Sequence, residues 1–232
     1  MNMPSPRVRP GLFTALALLV GLSFINICQL VVKAPLESTM GWVQKIFYFH
    51  VPCAWLLMLS TFVSAGGSVA YLFKGSEKGD RLARCSAELG VLFGLCVMTT
   101  GPMWAKAAWG VYWTWDARLT ASLLLWLCLV AYVLARRYGG SGAKRLAAAL
   151  ALFAAADVPL VYISVNVWRT LHPTTQVVST LAPGMKLPFF MSLALFTAVW
   201  GVLLSLRLMV EGAQAATADL EAQIEEAEEN AR

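Results

Sequence analysis

Long apolar runs alternate with short polar stretches along the whole chain. Six runs stand out, at roughly 11–32, 50–73, 86–104, 119–135, 146–165 and 188–210. Each is long enough, or nearly so, to cross a hydrocarbon core of ~30 Å at ~1.5 Å of rise per residue. The pattern predicts an all-α integral membrane protein with six transmembrane helices in one domain, 1–210, followed by an acidic helical tail, 211–232. The first run has about 22 apolar residues and no A-x-A site after it. It therefore reads as a retained span, not a cleaved signal peptide. Composition agrees: 59% of residues are apolar and 13% charged, against about a quarter charged in soluble domains.

The polar stretches differ in charge. Arg7, Arg9, Lys74, Lys78, Arg81, Arg84, Arg136, Arg137, Lys144, Arg145, Arg207 and Arg232 fall on one side, while Lys33, Lys45, Lys106, Arg118, Arg169 and Lys186 fall on the other. Twelve cations against six place the first side in the cytoplasm by the positive-inside rule. Both termini are then inside, and three longer loops, about 33–49, 105–118 and 166–187, face out. The inner loops are short, and the one holding Gly139-Gly140-Ser141-Gly142 is expected to be flexible. Their basic charge suits topology and anionic lipid, and no nucleic-acid motif is present. Seven of thirteen acids lie after Val210. There Leu220, Ile224 and Ala227 form a narrow apolar stripe, which fits either a solvated helical end or a docking helix.

The five cysteines include no C-x-x-C pair. Most sit in apolar runs, where a thiol packs as a small hydrophobe. Cys53, near His50, is the one candidate for an auxiliary ligand.

Six of nine tryptophans, Trp42, Trp104, Trp109, Trp113, Trp115 and Trp168, fall in or at the edge of outer loops. An interfacial belt would populate both faces. This set is one-sided and dense, which suits a large, flat, partly polar aromatic ligand stacked on indole faces. The chain has two histidines, His50 and His172, both expected on the outer side. Haem takes axial ligands on opposite faces and needs only two imidazoles, whereas zinc normally wants three or four ligands. Lys45, Lys106, Arg118 and Arg169 are outer cations available to haem propionates or lipid headgroups. Asp116 precedes the fourth span as a candidate N-cap that also orients the Trp loop. Asp157 is an intramembrane acid of open role.

At 109–120 the chain reads W-G-V-Y-W-T-W-D-A-R-L-T. This resembles the Trp-rich signature of the "WWD" haem-handling membrane proteins, here over a loop spanning 104–120. Size, span number and the segments I-F-Y-F-H-V-P and W-R-T-L-H are most similar to the CcmC family of cytochrome c maturation. Tyr112 stands where related sequences often carry a second adjacent Trp. The resemblance implies transient, non-covalent haem b between His50 and His172 as axial ligands. It implies a haem platform from Trp104, Trp109, Tyr112, Trp113, Trp115 and Asp116, and Arg118 and Trp168 join the candidate site by position. It further implies an inner-membrane protein with its haem site on the periplasmic side. Implied partners are the haem chaperone CcmE, the ABC transporter subunits CcmA and CcmB, and CcmD. No P-loop or independent catalytic motif is present, so the expectation is a transfer subunit, not an enzyme. The competing expectation is a scaffold subunit whose Trp loop is a protein interface. An electron carrier would place histidines inside spans. A pore would need more polar residues than Asn26, Glu88 and Asp157.

Overall fold

The computed structural model describes residues 10–174 and 177–230. Helices α1 (Pro10–Lys33), α2 (Phe47–Lys74), α3 (Glu77–Trp109), α4 (Ala117–Tyr138), α5 (Ala143–Val167), α6 (Val177–Thr180) and α7 (Pro183–Asn230) follow in order. Among the described residues six helices are long and apolar enough to cross a membrane. They correspond to the six expected runs, but most are longer. Helix α3 continues to Trp109, so Trp104 and Trp109 stand on helix and the WWD loop shrinks to about 110–116. Helix α7 runs unbroken for 48 residues, about 70 Å. The last span and the acidic tail are therefore one rod. Apolar content marks only the lipid-buried part of a helix, whereas backbone hydrogen bonding carries it past the interface.

Short connections hold consecutive helices such as α2 and α3 antiparallel. Gly75, at φ 62°, closes α2 in the left-handed region that glycine tolerates. Ser76 then caps α3, its hydroxyl accepting the Gly79 N–H at 3.1 Å. Beside this turn, a Cβ at Gly67 would lie 2.5 Å from the Gly79 carbonyl oxygen, so the two backbones touch, as small residues allow between membrane helices. The glycine-rich connection expected to be flexible is a one-turn 3-10 helix, Gly140–Gly142, that starts α5 directly.

Helix α2 is central and packs on α3, α5 and α7. Helices α4 and α5 pair on one flank, and α1 leans mainly on α7. The largest core cluster joins Leu57, Leu125, Leu129, Tyr132, Ala151 and Val161. At the end away from the histidines, Arg136 makes a two-pronged ion pair with Asp80 at 2.8 and 2.9 Å, and Lys144 reaches Glu77. Arg207 bonds Glu88 and Glu211, and Arg84 joins both acids. Much of the basic charge that reads as topology signal is thus also used to tie α3, α4, α5 and α7 together. From Ala216 to Asn230 the tail is exposed, including Leu220 and Ile224.

Candidate functional site

Helices α2, α3, α5 and α7 each contain one proline beyond their first residue, Pro52, Pro102, Pro159 and Pro188. All four lie within about two turns of the same end. Each removes an N–H from its helix and leaves the carbonyl four residues earlier without its usual donor. Between these loosened ends lies a cavity of about 430 Å³, lined by α2, α3, α4, α5, α7 and the loops above them. That volume is in the range of small-molecule and cofactor sites.

Both histidines line it. His50 sits one turn inside α2 and is buried. Its Nδ1 lies 2.8 Å from Thr100 Oγ1. The Thr100 hydroxyl spends its single proton on the Cys96 carbonyl at 2.6 Å, so His50 Nδ1–H is the donor and Nε2 keeps its lone pair. Gly101 makes room for the ring, since a Cβ there would lie 3.2 Å from His50 Cε1. Trp104 meets the imidazole edge-to-face with centroids 5.7 Å apart.

His172 lies in the loop after α5. Its Nδ1 is 2.9 Å from the Pro173 carbonyl, which can only accept. Nδ1 therefore donates, and Nε2 is again the free acceptor. Two unrelated local arrangements produce the same tautomer, the one that leaves Nε2 able to bind a metal. An outer partner on Nδ1 is the usual way a ligating histidine is oriented.

Asp116 connects the two loops. It is the N-cap of α4, with Oδ1 accepting the Leu119 N–H at 3.0 Å and Oδ2 the Thr114 hydroxyl at 2.9 Å. Thr170 stands close enough to help lower its pKa, and Thr170 Oγ1 accepts the His172 backbone N–H at 3.1 Å. Burial raises the carboxyl's pKa, but these donors together hold it below its ordinary value. The expected N-cap is present, and the same carboxylate lies beside Thr170 of the His172 loop.

Trp104, Trp109, Tyr112, Trp113 and Arg118 line the cavity. The indole N–H groups of Trp104 and Trp113 are buried with no partner among the described residues, which suits a ligand with polar edges. Arg118 donates one N–H to the Val161 carbonyl, leaving others of its five donors. Trp115, Trp168 and Asp116 do not line the cavity. Trp115 is 77% exposed and packs on Trp113 at 5.8 Å; Trp168 is half exposed on the other loop. The remaining expected cations are elsewhere. Lys45 binds the Val31 and Ala34 carbonyls at the end of α1, and Lys106 binds the Gly110 carbonyl. Cys53 faces Leu56 and Phe93 in a separate cluster, so the auxiliary-ligand expectation fails: position 53 lies on the face of α2 turned away from the cavity. Asp157 is buried with Oδ2 unpartnered and lies outside the cavity lining.

Thr100, Gly101 and the Pro173 carbonyl are site components that the sequence reading missed. The only signal for Thr100 was a hydroxyl one helical turn before Trp104. A carbonyl acceptor leaves no mark on residue identity.

Burial, followed by the Arg118 charge, depresses the His172 pKa to about 4. Unfolded histidine protonates near ~6.5. The stability tied to keeping this ring neutral is therefore present above pH ~6.5 and lost as pH falls toward 4. An axial ligand formed by His172 is expected to survive titration from pH 7.5 to 5.5. The check is the visible spectrum of the loaded protein at each pH; a midpoint near 6.5 would contradict the assignment.

Six apolar helices, five of which line an aromatic-walled cavity holding two imidazoles, define a polytopic membrane protein with an internal site of cofactor size. The family profile for Heme exporter protein C, CcmC, matches residues 5–227. The chain belongs to that family, whose role lies in cytochrome c biogenesis. It is 33% identical to Heme exporter protein C of Bradyrhizobium diazoefficiens, over 82% of this chain and 73% of the relative. It is 31% identical to a putative cytochrome c biosynthesis ccmC-like mitochondrial protein of Marchantia polymorpha, over 73% and 74% of the two chains. To Heme exporter protein C of Escherichia coli K12 it is 28% identical, over 75% and 73%.

Proposed function

We propose that this protein holds haem between His50 and His172 at the periplasmic face of a bacterial inner membrane and delivers it to the haem chaperone CcmE. The observation that carries this reading is the pair of imidazoles on one cavity, each with Nδ1–H committed to a protein acceptor and Nε2 free. Indole and phenol rings of Trp104, Trp109, Tyr112 and Trp113 supply the stacking walls, and Arg118 the cation for a propionate. The excess of Lys and Arg at the opposite end supports cytoplasmic termini and an outward-facing site. Exposed Trp115 and Trp168 flank the cavity without lining it, and they are suited to receive the chaperone. CcmA, CcmB and CcmD complete the assembly in this reading. The chain supplies ligation, orientation and shielding of the iron, not a bond-making step.

The test is the absorption spectrum of the detergent-solubilised protein made with haem supplied. A low-spin spectrum with two nitrogen ligands supports the reading; a protein that stays haem-free overturns it.

Thr100→Val keeps the size of residue 100 and removes the acceptor for His50 Nδ1–H. Loss of such an outer partner is expected to weaken haem retention by about 10–100-fold, with Thr100→Ser restoring it. Titration of the solubilised variants with haemin measures this.

A further inference from the structure

The cavity extends well below the histidines. Its lining includes Leu57 and Met58 on α2, Leu125 on α4, and Leu193 on α7. Helix α2 packs on both α5 and α7, yet α5 and α7 make no substantial contact with each other. Between them the α2 surface is left uncovered from the side. That gap is framed by Tyr162 and Val165 on α5, by Phe189 and Leu193 on α7, and has Ala54 and Trp55 as its floor, all of them cavity-lining. Trp55 and Tyr162 line the cavity and are also 46% and 55% exposed. Trp55 is eight residues into α2, about 12 Å below its start, and Tyr162 is five residues from the end of α5, about 7 Å down. Both lie below the helix ends that carry the loops. Tyr112, Trp113, His172 and Pro173 stand over the loop side of the same cavity.

We propose that this gap is a lateral portal, through which haem dissolved in the bilayer slides between α5 and α7 into the cavity. The proposal rests on the haem-holding reading above. A flat macrocycle with two carboxylates lies in a membrane with its ring in hydrocarbon and its carboxylates at the headgroups, as other amphipathic groups do. Sideways passage preserves that arrangement throughout. The ring crosses apolar side chains only, while the carboxylates stay near the loop level, where Arg118 lines the cavity. Passage between the loops would instead carry the apolar ring through water and past the half-buried indoles. The portal also accounts for two aromatic side chains that line the cavity and are exposed on the outer surface at once.

The experiment uses the full-length protein reconstituted in vesicles whose lipid has been preloaded with haemin, and follows the growth of the low-spin spectrum. Ala54→Trp fills the floor and should slow uptake from lipid several-fold relative to loading of the same variant with haemin in detergent. Tyr162→Ala widens the frame and should speed uptake several-fold. Unchanged rates in both overturn the portal, as expected if the gap holds only lipid chains. If Ala54→Trp fails to fold, the Tyr162→Ala rate decides alone: faster supports the portal, unchanged overturns it. His50→Ala/His172→Ala runs alongside. If that variant keeps the parent spectrum, the haem-holding reading fails; if it loses the spectrum while the portal variants match the parent rate, only the portal fails.

Discussion

His50→Ala/His172→Ala is expected to lose the low-spin, two-nitrogen spectrum entirely. Each ring contributes one Nε2, and no other cavity-lining side chain offers an imidazole nitrogen: the lining contains no other histidine and no cysteine, and its two methionines, Met58 and Met98, would supply sulfur. Each single variant should leave one nitrogen ligand and shift the iron toward a high-spin spectrum with weaker retention. Cys85→Ala should be silent, because Cys85 is buried and lies outside the cavity lining. Trp115→Phe and Trp168→Phe separate binding from delivery. Both side chains stand outside the cavity, so these variants should bind haem like the parent, and any defect should appear only in transfer to the chaperone. Equal loss of the spectrum in Trp115→Phe would mean that the platform extends beyond the cavity seen here.

The second large effect concerns the opposite end of the molecule. Asp80→Ala is expected to destabilise the protein by roughly 3–5 kcal/mol, the usual cost of leaving one partner of a buried pair uncompensated. The Asp80 and Arg136 side chains are 8% and 11% exposed, and they meet through two N–H···O bonds. Removing the carboxylate strands a guanidinium between α3 and α4, with Glu77 held by Lys144 instead. Asp80→Leu/Arg136→Leu should recover much of the loss, since replacing both charges removes the stranded ion. Thermal unfolding of the detergent-solubilised variants decides. A double variant no better than Asp80→Ala would show that the pair itself, and not the unpaired charge, sets the stability.

The cavity end of the fold reads differently from the charged end. His50, His172 and the W-G-x-x-W-x-W-D segment are all visible in sequence, and all of them converge on one end of the bundle. What could not be read was which of the aromatics face inward. Trp104 and Trp109 are carried by the last turns of α3 and point into the cavity, whereas Trp115, just before the N-cap of α4, points out. A loop has no periodicity from which side-chain direction can be deduced. The cations show the same limit. Lys45, Lys106 and Arg118 are alike in a list of outer charges, yet two of them cap carbonyl ends and only Arg118 reaches the cavity.

Hydropathy alone determined that the chain is a six-span helical membrane protein, because a backbone in hydrocarbon must satisfy its own hydrogen bonds over some twenty residues. Residue identity alone placed two histidines beside a tryptophan cluster. Tertiary structure decided the tautomer of each imidazole, since the acceptors are Thr100, fifty residues from His50, and a backbone carbonyl that any residue would carry. It also brought Asp116, the N-cap of α4, beside Thr170, whose Oγ1 accepts the His172 backbone N–H. The gap between α5 and α7 exists only because α2 separates two helices that the chain order leaves free to touch. Apart from the His172–Pro173 contact, which is set by local backbone conformation, these features depend on distances between segments remote in sequence, which no local pattern of polar and apolar residues encodes.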